Sequence, residues 1–464
     1  MHYISTRGRA PRLDFSEVLL DGLGRDGGLY LPETWPQIDA DTLRRWRGLS
    51  YADLAKRIMR LFVGTTIAAA DLDRMIDDTY RGFDHRAVAP LKQLGPDEWV
   101  MELFHGPTLA FKDFALQLLG RLFDHVLDRS DRRGVILGAT SGDTGSAAIE
   151  ACRDRARLDV FILHPLGRTS EVQRRQMTTV LSPNIHNIAI QGTFDDAQDM
   201  VKAAFGDEGF RDTVGLTAIN SINWARIAAQ VVYYFHAGLA LGAPDRPIAF
   251  SVPTGNFGDV YAGYIAARMG LPVAKLIVAT NENDILARFF RDGDYSSAGV
   301  RPTLSPSMDI QVASNFERLL FDLKGRDGEA TAAAIATFRA TGRLPVTPAE
   351  VAEAQALFDA GAADDTRTLS TIRTVFGETG EILDPHTAVG VAVGRDRKPA
   401  GVPVVVLSTA HPAKFPDAVE RAIGRRPALP ERMADLMERP ERFETLEADV
   451  SGLKSHIMSH RRNV

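Results

Sequence analysis

One lysine, Lys112, lies between two phenylalanines in the segment from Phe104 to Phe114. Burial among aromatic side chains can shift a lysine amine towards its neutral, nucleophilic form. Two glycine-rich turns follow along the chain, at residues 140–145 and 255–258. Each turn lies between a strand-like and a helix-like run, where backbone N–H groups and a helix N-terminus can bind an anion. The sequence therefore predicts a reactive amine beside two anion sites.

This combination narrows the chemistry. A reactive amine with two anion sites suits a phosphorylated aldehyde cofactor and an anionic substrate, and pyridoxal 5′-phosphate with an amino acid is the pair that fits. Each feature alone is weak, because most lysines are solvated surface residues and glycine marks any tight turn. The inference depends on all three features together.

The first glycine-rich turn has a composition that suits a carboxylate. It lacks the Gly-Lys-Ser/Thr of a P-loop and the full dinucleotide fingerprint, which argues against both nucleotide classes. What remains is a loop rich in hydroxyl and N–H groups at the start of a helix. Helix capping by a side chain of the turn is the alternative, and both roles can hold at once. Its residues are Thr140, Ser141, Gly142, Asp143, Thr144 and Gly145.

The second turn has a composition that suits a phosphate. Two glycines bracket an amide side chain directly after an apolar strand, at the strand end where ligands bind in α/β sheets. Asn220 and Arg226 lie just before or within the first turn of a predicted helix. Arg226 could hold a phosphate through two parallel hydrogen bonds, although a surface arginine is the commoner alternative. The residues of the turn are Gly255, Asn256, Phe257 and Gly258.

The histidines and the cysteine provide weaker evidence of function. We find no histidine pair with metal-ligand spacing and no Ser-His-Asp arrangement, so we predict no metal site. His386 and His411 lie in candidate site loops. Cys152 is the only cysteine, which excludes an intrachain disulfide and fits a reducing cytoplasm.

Composition supports a globular enzyme. The chain has 464 residues, of which 45% are hydrophobic and 25% charged, enough for a large core. Its 54 Lys and Arg against 60 Asp and Glu give a net charge of −6, which argues against nucleic acid as a partner. The N-terminal segment has no signal-peptide pattern, and no apolar run approaches the ~18 residues of a membrane span. We expect a cytoplasmic protein without a membrane partner.

The organisation indicates an α/β fold. From Gly134 onwards, apolar strand-like runs alternate with helix-like runs, which is typical of βαβ units and parallel sheets. Segment 325–375 reads as mostly helical. We predict a small helical N-terminal region, two parallel-sheet subdomains and a charged, amphipathic helical tail. Their ranges are 1–88 for the N-terminal region, 89–129 with 216–427 for the large subdomain, 130–215 for the small subdomain and 428–464 for the tail.

Ordered segments along nearly the whole chain resemble the threonine synthase family, in its bacterial and fungal branch. These are fold-type-II pyridoxal-phosphate enzymes, whose fold is similar to that of the tryptophan synthase β subunit. The Ser-Gly-Asp-Thr-Gly turn alone would indicate only the wider fold type. The matching segments include residues 3–8, 26–30, 105–114, 140–145, 221–226, 252–258, 281–284, 305–310, 314–318, 384–388 and 408–415.

The resemblance implies a role for each candidate residue. Lys112 would bind the cofactor covalently and shuttle protons, and the turn at 255–258 would bind the cofactor phosphate. Thr409 would hydrogen-bond the pyridine nitrogen. The turn at 140–145 would bind the substrate carboxylate, and Asn220 and Arg226 the substrate phosphate. The large subdomain would thus bind pyridoxal phosphate, and the small subdomain the substrate.

The implied reaction converts O-phospho-L-homoserine and water to L-threonine and phosphate by β,γ-elimination and β-hydration, in a monomer or homodimer. One alternative is a phospho-lyase or dehydratase that gives a keto acid and ammonia; another is a non-catalytic binding protein on the same fold. Two positions depart from related enzymes, because Asp143 and Asp259 stand where asparagine is common. An aspartate would repel a cofactor phenolate, so we do not expect Asp143 to contact that oxygen.

Overall fold

The computed structural model describes residues 1–140 and 142–462. The strands are β1 (Tyr3–Ser5), β2 (Tyr30–Pro32), β3 (Leu91–Gly95), β4 (Glu98–Glu102), β5 (Gly134–Ala139), β6 (Leu158–Pro165), β7 (Ile185–Gln191), β8 (Leu216–Thr217), β9 (Ile248–Pro253), β10 (Val273–Thr280), β11 (Phe358–Ala362), β12 (Val404–Ser408) and β13 (Glu444–Glu447).

The helices surround these strands. They are α1 (Phe15–Asp21), α2 (Ala40–Trp46), α3 (Tyr51–Val63), α4 (Ala69–Tyr80), α5 (Lys112–Arg129), α6 (Asp143–Cys152), α7 (Glu171–Thr178), α8 (Phe194–Gly206), α9 (Glu208–Val214), α10 (Trp224–Ala240), α11 (Gly258–Arg268), α12 (Ile285–Asp292), α13 (Phe316–Leu323), α14 (Gly328–Thr341), α15 (Pro348–Leu357), α16 (Asp365–Thr379), α17 (Pro385–Arg397), α18 (Pro416–Ile423) and α19 (Val450–His460). Short 3₁₀ turns lie at Pro306–Met308, Pro412–Lys414 and Glu431–Met433.

The larger sheet has the strand order β11-β10-β9-β12-β4-β3. Its strands run parallel except β3, which pairs antiparallel with β4. Successive residues of β12 face opposite sides of the sheet: Val405 and Leu407 join the main core, whereas Val404 and Val406 pack with α17. Burial on both faces explains why the central strands are mostly apolar.

The smaller sheet has the order β13-β7-β6-β5-β8 and is parallel throughout. Every residue of its central strand β6 is buried. Helix α5 links this sheet to the larger one and packs closely on α6, because Gly120 approaches the Ala151 carbonyl where a Cβ would come within 2.3 Å. This close approach fixes α5, which begins with Lys112, against α6.

The N-terminal region is held to the body by aromatic contacts. Tyr3 on β1 donates its hydroxyl to the Phe62 carbonyl at 2.7 Å, and its ring lies 5.8 Å from that of Trp224 on α10. Strand β1 pairs antiparallel with β2. Within the described part of the chain, no helix is both long and apolar enough to span a bilayer.

The predicted alternation of strands and helices from Gly134 is confirmed, but three details differ. Strand β8 pairs with β5, so the smaller sheet extends past the predicted limit at residue 215. The tail is not simply helical, because it contributes β13 at the edge of the same sheet. Segment 325–375 is mostly helical as predicted, but it also contains β11 between its helices. Short strands with few β-branched residues, such as β11 and β13, give no clear period-two pattern.

Candidate active site

A large cleft lies at the carboxyl ends of strands from both sheets. Strand β5 leads into the turn at 140–145, β9 into the turn at 255–258, and β12 into Thr409. The cleft has a volume of ≈ 2260 Å³, whereas about 300–1000 Å³ is typical for one small ligand. It therefore has room for a cofactor and a substrate together. The predicted site residues that line it are Lys112, Thr140, Asp143, Thr144, Gly145, Asn220, Arg226, Gly255, Asn256, Phe257, Gly258 and Thr409.

Lys112 is the first residue of α5 and is 8% exposed. Its Nζ lies 4.8 Å from the centre of the Phe111 ring and 3.4 Å from Asp143 Oδ2. Burial lowers the pKa of the amine; Asp143 opposes this effect, whereas Arg226 and Lys414 add to it. A lysine with a lowered pKa can act as a nucleophile or a proton carrier.

The loop that presents Lys112 is held by hydrogen bonds. Asp113 accepts hydrogen bonds from the Thr108 backbone at 2.7 Å and the Thr108 hydroxyl at 2.8 Å. The Phe111 N–H donates to the Thr409 carbonyl at 2.8 Å, and the His411 N–H to the Leu109 carbonyl at 3.0 Å. These contacts fix the lysine and Thr409 relative to each other. Sequence reasoning placed both residues in the site but gave no sign that their loops pair.

The turn at 255–258 has the shape of an anion cradle. Phe257 adopts a left-handed conformation with φ of 69° directly before α11 begins at Gly258. That conformation is uncommon for a residue with a side chain. Here it is held by packing of the buried ring against Phe290, Phe316 and Phe358. A left-handed residue before a helix start turns successive N–H groups to one side, which favours an anion.

Arg226 is buried, which the sequence did not predict. It lies in the first turn of α10, is 3% exposed, and donates from Nη1 to the Ile219 carbonyl at 3.4 Å. Its Nε has no hydrogen-bond partner among the described residues. Burial lowers its pKa to about 10, so the guanidinium stays charged at neutral pH. A buried cation with an unpaired donor that lines a cleft calls for an anionic ligand.

The turn at 140–145 forms the start of α6. The Thr140 hydroxyl accepts hydrogen bonds from the N–H groups of Gly142 and Gly145, each at 2.9 Å. Gly142 is buried but does not line the cleft, and Ser141 lies outside the described residues. Gly145 packs so closely on Thr140 that a Cβ would come within 2.4 Å of its methyl group. The Thr140 hydroxyl thus caps an N–H in the first turn of α6, whereas the N-cap residue Gly142 has no side chain to do so. Ligand binding at this turn stays a prediction.

Asp143 is the centre of a buried charge network. Its Oδ1 contacts Lys414 Nζ at 2.9 Å and accepts from Gln173 at 2.9 Å, and its Oδ2 accepts from the Ser307 hydroxyl at 3.1 Å. Burial alone would raise the pKa of Asp143, but Lys414 and Lys112 hold it well below its usual value. Lys414 is fully buried and also donates to the Thr108 carbonyl at 2.8 Å.

A second network supports Ser307 beside this carboxylate. His386 lines the cleft, its Nδ1 lies 2.8 Å from Asp384 Oδ1, and its Nε2 accepts from the Ser307 N–H at 3.2 Å. The carboxylate therefore fixes the tautomer of the imidazole. His411 instead uses its Nδ1 to accept from Ala413 N, and it does not line the cleft.

Two further polar residues differ in environment. Asp259, in the first turn of α11, accepts hydrogen bonds from the hydroxyls of Tyr233 at 2.6 Å and Tyr234 at 3.0 Å. Burial raises the pKa of its carboxyl to about 6. Asn220 is exposed at the edge of the cleft, where its side chain accepts a hydrogen bond from the Ile222 N–H at 3.2 Å.

Sequence reasoning missed Lys414, Ser307 and Asp384 as members of the site, because no local spacing in the sequence points to them.

These residues fit a phosphorylated aldehyde cofactor. A buried amine with a lowered pKa is available for the aldehyde, and the turn at 255–258 offers a cradle at a helix start for the phosphate. Glycine is needed at position 255 because a Cβ there would come within 2.8 Å of the Ser307 carbonyl oxygen, which packs against this turn. The unpaired Nε of Arg226 remains for a second anion.

Comparison with known proteins agrees with a site for pyridoxal phosphate. The family model described as the threonine synthase N terminus matches residues 2–80, and that of the threonine synthase C-terminal region matches residues 387–457. The model of pyridoxal-phosphate dependent enzymes matches residues 85–364. Threonine synthase from Pseudomonas aeruginosa is 59% identical over 462 residues, which cover 99% of this chain and 98% of that relative.

Solved structures show the same fold. The structure of pyridoxal-phosphate-bound threonine synthase from Brucella melitensis has a TM-score of 0.98 and 51% identity, and covers 100% of both chains. Yeast threonine synthase has a TM-score of 0.93 and 41% identity, with 99% of this chain and 98% of that one covered. The predicted fold-type-II class is confirmed. This chain belongs to the threonine synthase family of pyridoxal-phosphate-dependent enzymes.

Proposed function

We propose that this chain converts O-phospho-L-homoserine and water to L-threonine and inorganic phosphate. One observation carries the substrate assignment: Arg226 is a buried cation in the cleft whose Nε has no partner among the described residues. The turn at 255–258 already offers a place for the cofactor phosphate, so Arg226 is available to a second phosphate, that of the substrate.

Pyridoxal phosphate, when bound, supplies an aldehyde that links to amines and an electron-withdrawing ring that acidifies the substrate Cα–H. The residues proposed to hold it are Lys112 for the aldehyde carbon, Gly255, Asn256, Phe257 and Gly258 for the phosphate, and Thr409 for the pyridine nitrogen. Thr409 is buried at the end of β12, and a neutral hydroxyl there can donate to an unprotonated ring nitrogen.

The substrate is proposed to lie between the two sheets. At the start of α6, Thr140, Thr144 and Gly145 would bind the carboxylate through N–H and hydroxyl groups. Gly142 is proposed for this role from the sequence alone, because it does not line the cleft. Ser141 is proposed for the same role from the sequence. Arg226 and Asn220 would bind the phosphate. The carboxylate site is on α6 and the phosphate site is on α10. The separation of these two sites would therefore select substrates by the distance between their two anionic groups.

Lys112 is proposed to move protons. Its lowered pKa makes the neutral amine accessible, and its position at the start of α5 places the side chain in the cleft. We assign Asp143 to the electrostatics of Lys112 rather than to substrate binding, because its two oxygens already contact Lys414, Gln173, Ser307 and Lys112. This is a change from the sequence-based proposal, in which Asp143 belonged to the carboxylate site.

We further propose a monomer or homodimer in the cytoplasm. The single cysteine, Cys152, is buried and free, which suits a reducing compartment. Neither the oligomeric state nor the compartment changes the chemistry proposed for the cleft.

The decisive experiment is product analysis with purified enzyme, pyridoxal phosphate and O-phospho-L-homoserine. We expect equal amounts of threonine and inorganic phosphate, with keto acid and ammonia as minor products. Keto acid as the main product would indicate a phospho-lyase instead. Release of no phosphate at all would exclude the proposal.

Lys112→Ala tests the cofactor assignment. The variant should lose the absorbance of covalently bound cofactor and nearly all turnover, whereas Lys398→Ala, at an exposed lysine, should keep both. Borohydride reduction should fix the cofactor to the wild-type protein, and peptide mapping should find the modified residue at Lys112. Modification of another lysine would contradict the assignment.

A further inference from the structure

The C-terminal segment brings together three potential metal ligands outside the cleft. His456 and His460 lie one turn apart on α19, and their rings stack at 4.0 Å. Glu444 reaches them from β13. One ring nitrogen of each histidine and one carboxylate oxygen lie within 4.8 Å of one another. The histidine pair has the (i, i+4) spacing of a helical metal site, and our search of the sequence overlooked it.

His456 is buried yet incompletely hydrogen-bonded. It is 9% exposed, and its Nε2 has no hydrogen-bond partner among the described residues. Its Nδ1 lies 3.7 Å from Glu444 Oε2, which is beyond hydrogen-bond distance. A buried imidazole that lacks partners carries a desolvation cost, and coordination of a cation would offset that cost.

The hydrogen bonds of His460 leave one ring nitrogen available to a metal ion. Its Nδ1 lies 2.9 Å from the His456 carbonyl oxygen and 2.9 Å from the Ser459 hydroxyl. An Nδ1–H that donates to a carbonyl leaves the Nε2 lone pair free, as in most metal-bound histidines. His460 and Glu444 are both exposed, so an ion can reach them from solvent.

The surroundings allow an ion and its water. Glu444 also lines a small groove of ≈ 140 Å³ next to His186 and Arg442. The guanidinium of Arg442 donates to the carbonyls of Ser182 and Ile185, which directs it to the backbone. His186 stacks on Phe161 at 4.4 Å, and its ring centre lies 6.0 Å from that of His460, so we do not count it as a ligand.

We propose that Glu444, His456 and His460 form a binding site for a divalent transition-metal ion, with Zn²⁺ as its best match. Two imidazoles and one carboxylate suit Zn²⁺, which takes three protein ligands and a water in tetrahedral geometry. Mg²⁺ and Ca²⁺ fit this site less well, because both ions prefer oxygen donors and two of the three side chains offer nitrogen. None of the three residues lines the catalytic cleft.

The metal site would link two elements of the C-terminal tail, β13 and α19. Strand β13 is the edge of the smaller sheet, and α19 covers the outer core of that sheet through Leu453 and Ile457. A metal ion would add a bond between these two elements. It would stabilise the folded tail by mass action without taking part in the reaction.

The test uses tag-free holoenzyme that has been dialysed against a chelator. Zn²⁺ is titrated by calorimetry into the wild type, His460→Gln, Glu444→Gln and the control His2→Gln, which changes an exposed histidine elsewhere. We expect one ion per chain with a micromolar or lower dissociation constant, and at least about tenfold weaker binding in the first two variants. His2→Gln should bind like the wild type.

A second measurement addresses the role of the site. Zn²⁺ should raise the thermal unfolding temperature of the wild type and leave that of His460→Gln unchanged, whereas threonine formation should be equal in both. Millimolar binding in the wild type, or wild-type affinity in His460→Gln and Glu444→Gln, would overturn the proposal. Both variants change exposed side chains, so folding failure does not obscure the result.

Discussion

At the scale of single residues, the central feature is one carboxylate shared by two buried lysines. Asp143 lies 2.9 Å from Lys414 and 3.4 Å from Lys112. The shorter contact and the hydrogen bonds of Lys414 to Thr108 and Gln176 make Lys414 the natural counterion. Asp143 is thereby neutralised without Lys112 having to remain charged. This explains how an aspartate can stand beside a lysine that must become a neutral amine.

The role of Lys414 can be tested through pH. In Lys414→Met, the pKa of Lys112 should rise, because Lys414 no longer repels the Lys112 ammonium and Asp143 attracts it more strongly. The neutral amine then forms only at higher pH. We expect the rate at which apoenzyme captures pyridoxal phosphate to rise at higher pH than in the wild type. Absorbance after mixing measures this rate.

The matched control is Lys324→Met, since Lys324 pairs with Glu350 at 3.0 Å and does not line the cleft. It should leave the pH profile of cofactor capture unchanged. An unshifted profile in a folded Lys414→Met variant, or a shift to lower pH, would show that Lys414 does not act on Lys112.

Arg226 provides the second residue-scale prediction. Arg226→Ala should weaken binding of inorganic phosphate and substrate by about ten- to a hundredfold, because a hydrogen bond to a charged group contributes about 1.5–3 kcal/mol. Cofactor affinity should change little. Separate titrations of phosphate and cofactor measure both effects. Arg132→Ala, at an exposed arginine of the same cleft, is the control. If cofactor affinity collapses while phosphate affinity holds, the two anion sites are exchanged.

Sequence reasoning reached these residues unequally. Lys112 lies between aromatic residues and upstream of two glycine-rich turns, so its surroundings in the sequence were informative. The role of Arg226 came only from the family resemblance, because a surface arginine is the commoner interpretation of its position. Lys414 and Ser307 are 271 and 164 positions from Asp143 in the chain, and only the fold brings them to it. Burial of Arg226 also depends on packing around α10, which no local pattern in the sequence reports.

At the scale of elements, the turn between β9 and α11 shows how packing shapes a binding loop. Gly255→Ala would bring a Cβ within 2.8 Å of the Ser307 carbonyl oxygen, so the turn or the segment at Ser307 would have to move. We expect clearly weaker cofactor binding, measured by equilibrium titration. Gly377→Ala, on α16 where an added Cβ would meet nothing within 4 Å, should bind cofactor normally. Equal affinity in both variants would contradict the cradle assignment.

The elements that the sequence did not predict are short. Strand β13 has only four residues, three of them exposed, and it exists because β7 offers an edge for pairing. Strand β11 contains glycine and alanine in place of β-branched residues, yet it pairs along β10. In both cases tertiary pairing decides the conformation, whereas the long central strands and amphipathic helices were evident from their own patterns.

At the scale of the whole molecule, the tail completes the smaller sheet. Leu453 and Ile457 of α19 are fully buried in the outer core of that sheet, whereas Met458 is 43% exposed. Leu453→Ala should destabilise the protein by about 2–5 kcal/mol, as is usual for a buried leucine. Met458→Ala should change stability little. Thermal unfolding of the holoenzymes measures both. Equal unfolding temperatures would mean that the tail is not part of the core.

The most direct test of the account follows the oxygen atoms of the reaction. If the enzyme eliminates phosphate from the substrate chain and then adds water at Cβ, the C–O bond breaks and the new hydroxyl comes from solvent. In water labelled with a heavy oxygen isotope, mass spectrometry should find one labelled oxygen in threonine and none in the released phosphate. Label in the phosphate, with homoserine as the other product, would reveal simple hydrolysis of the phosphate ester and contradict the proposed function.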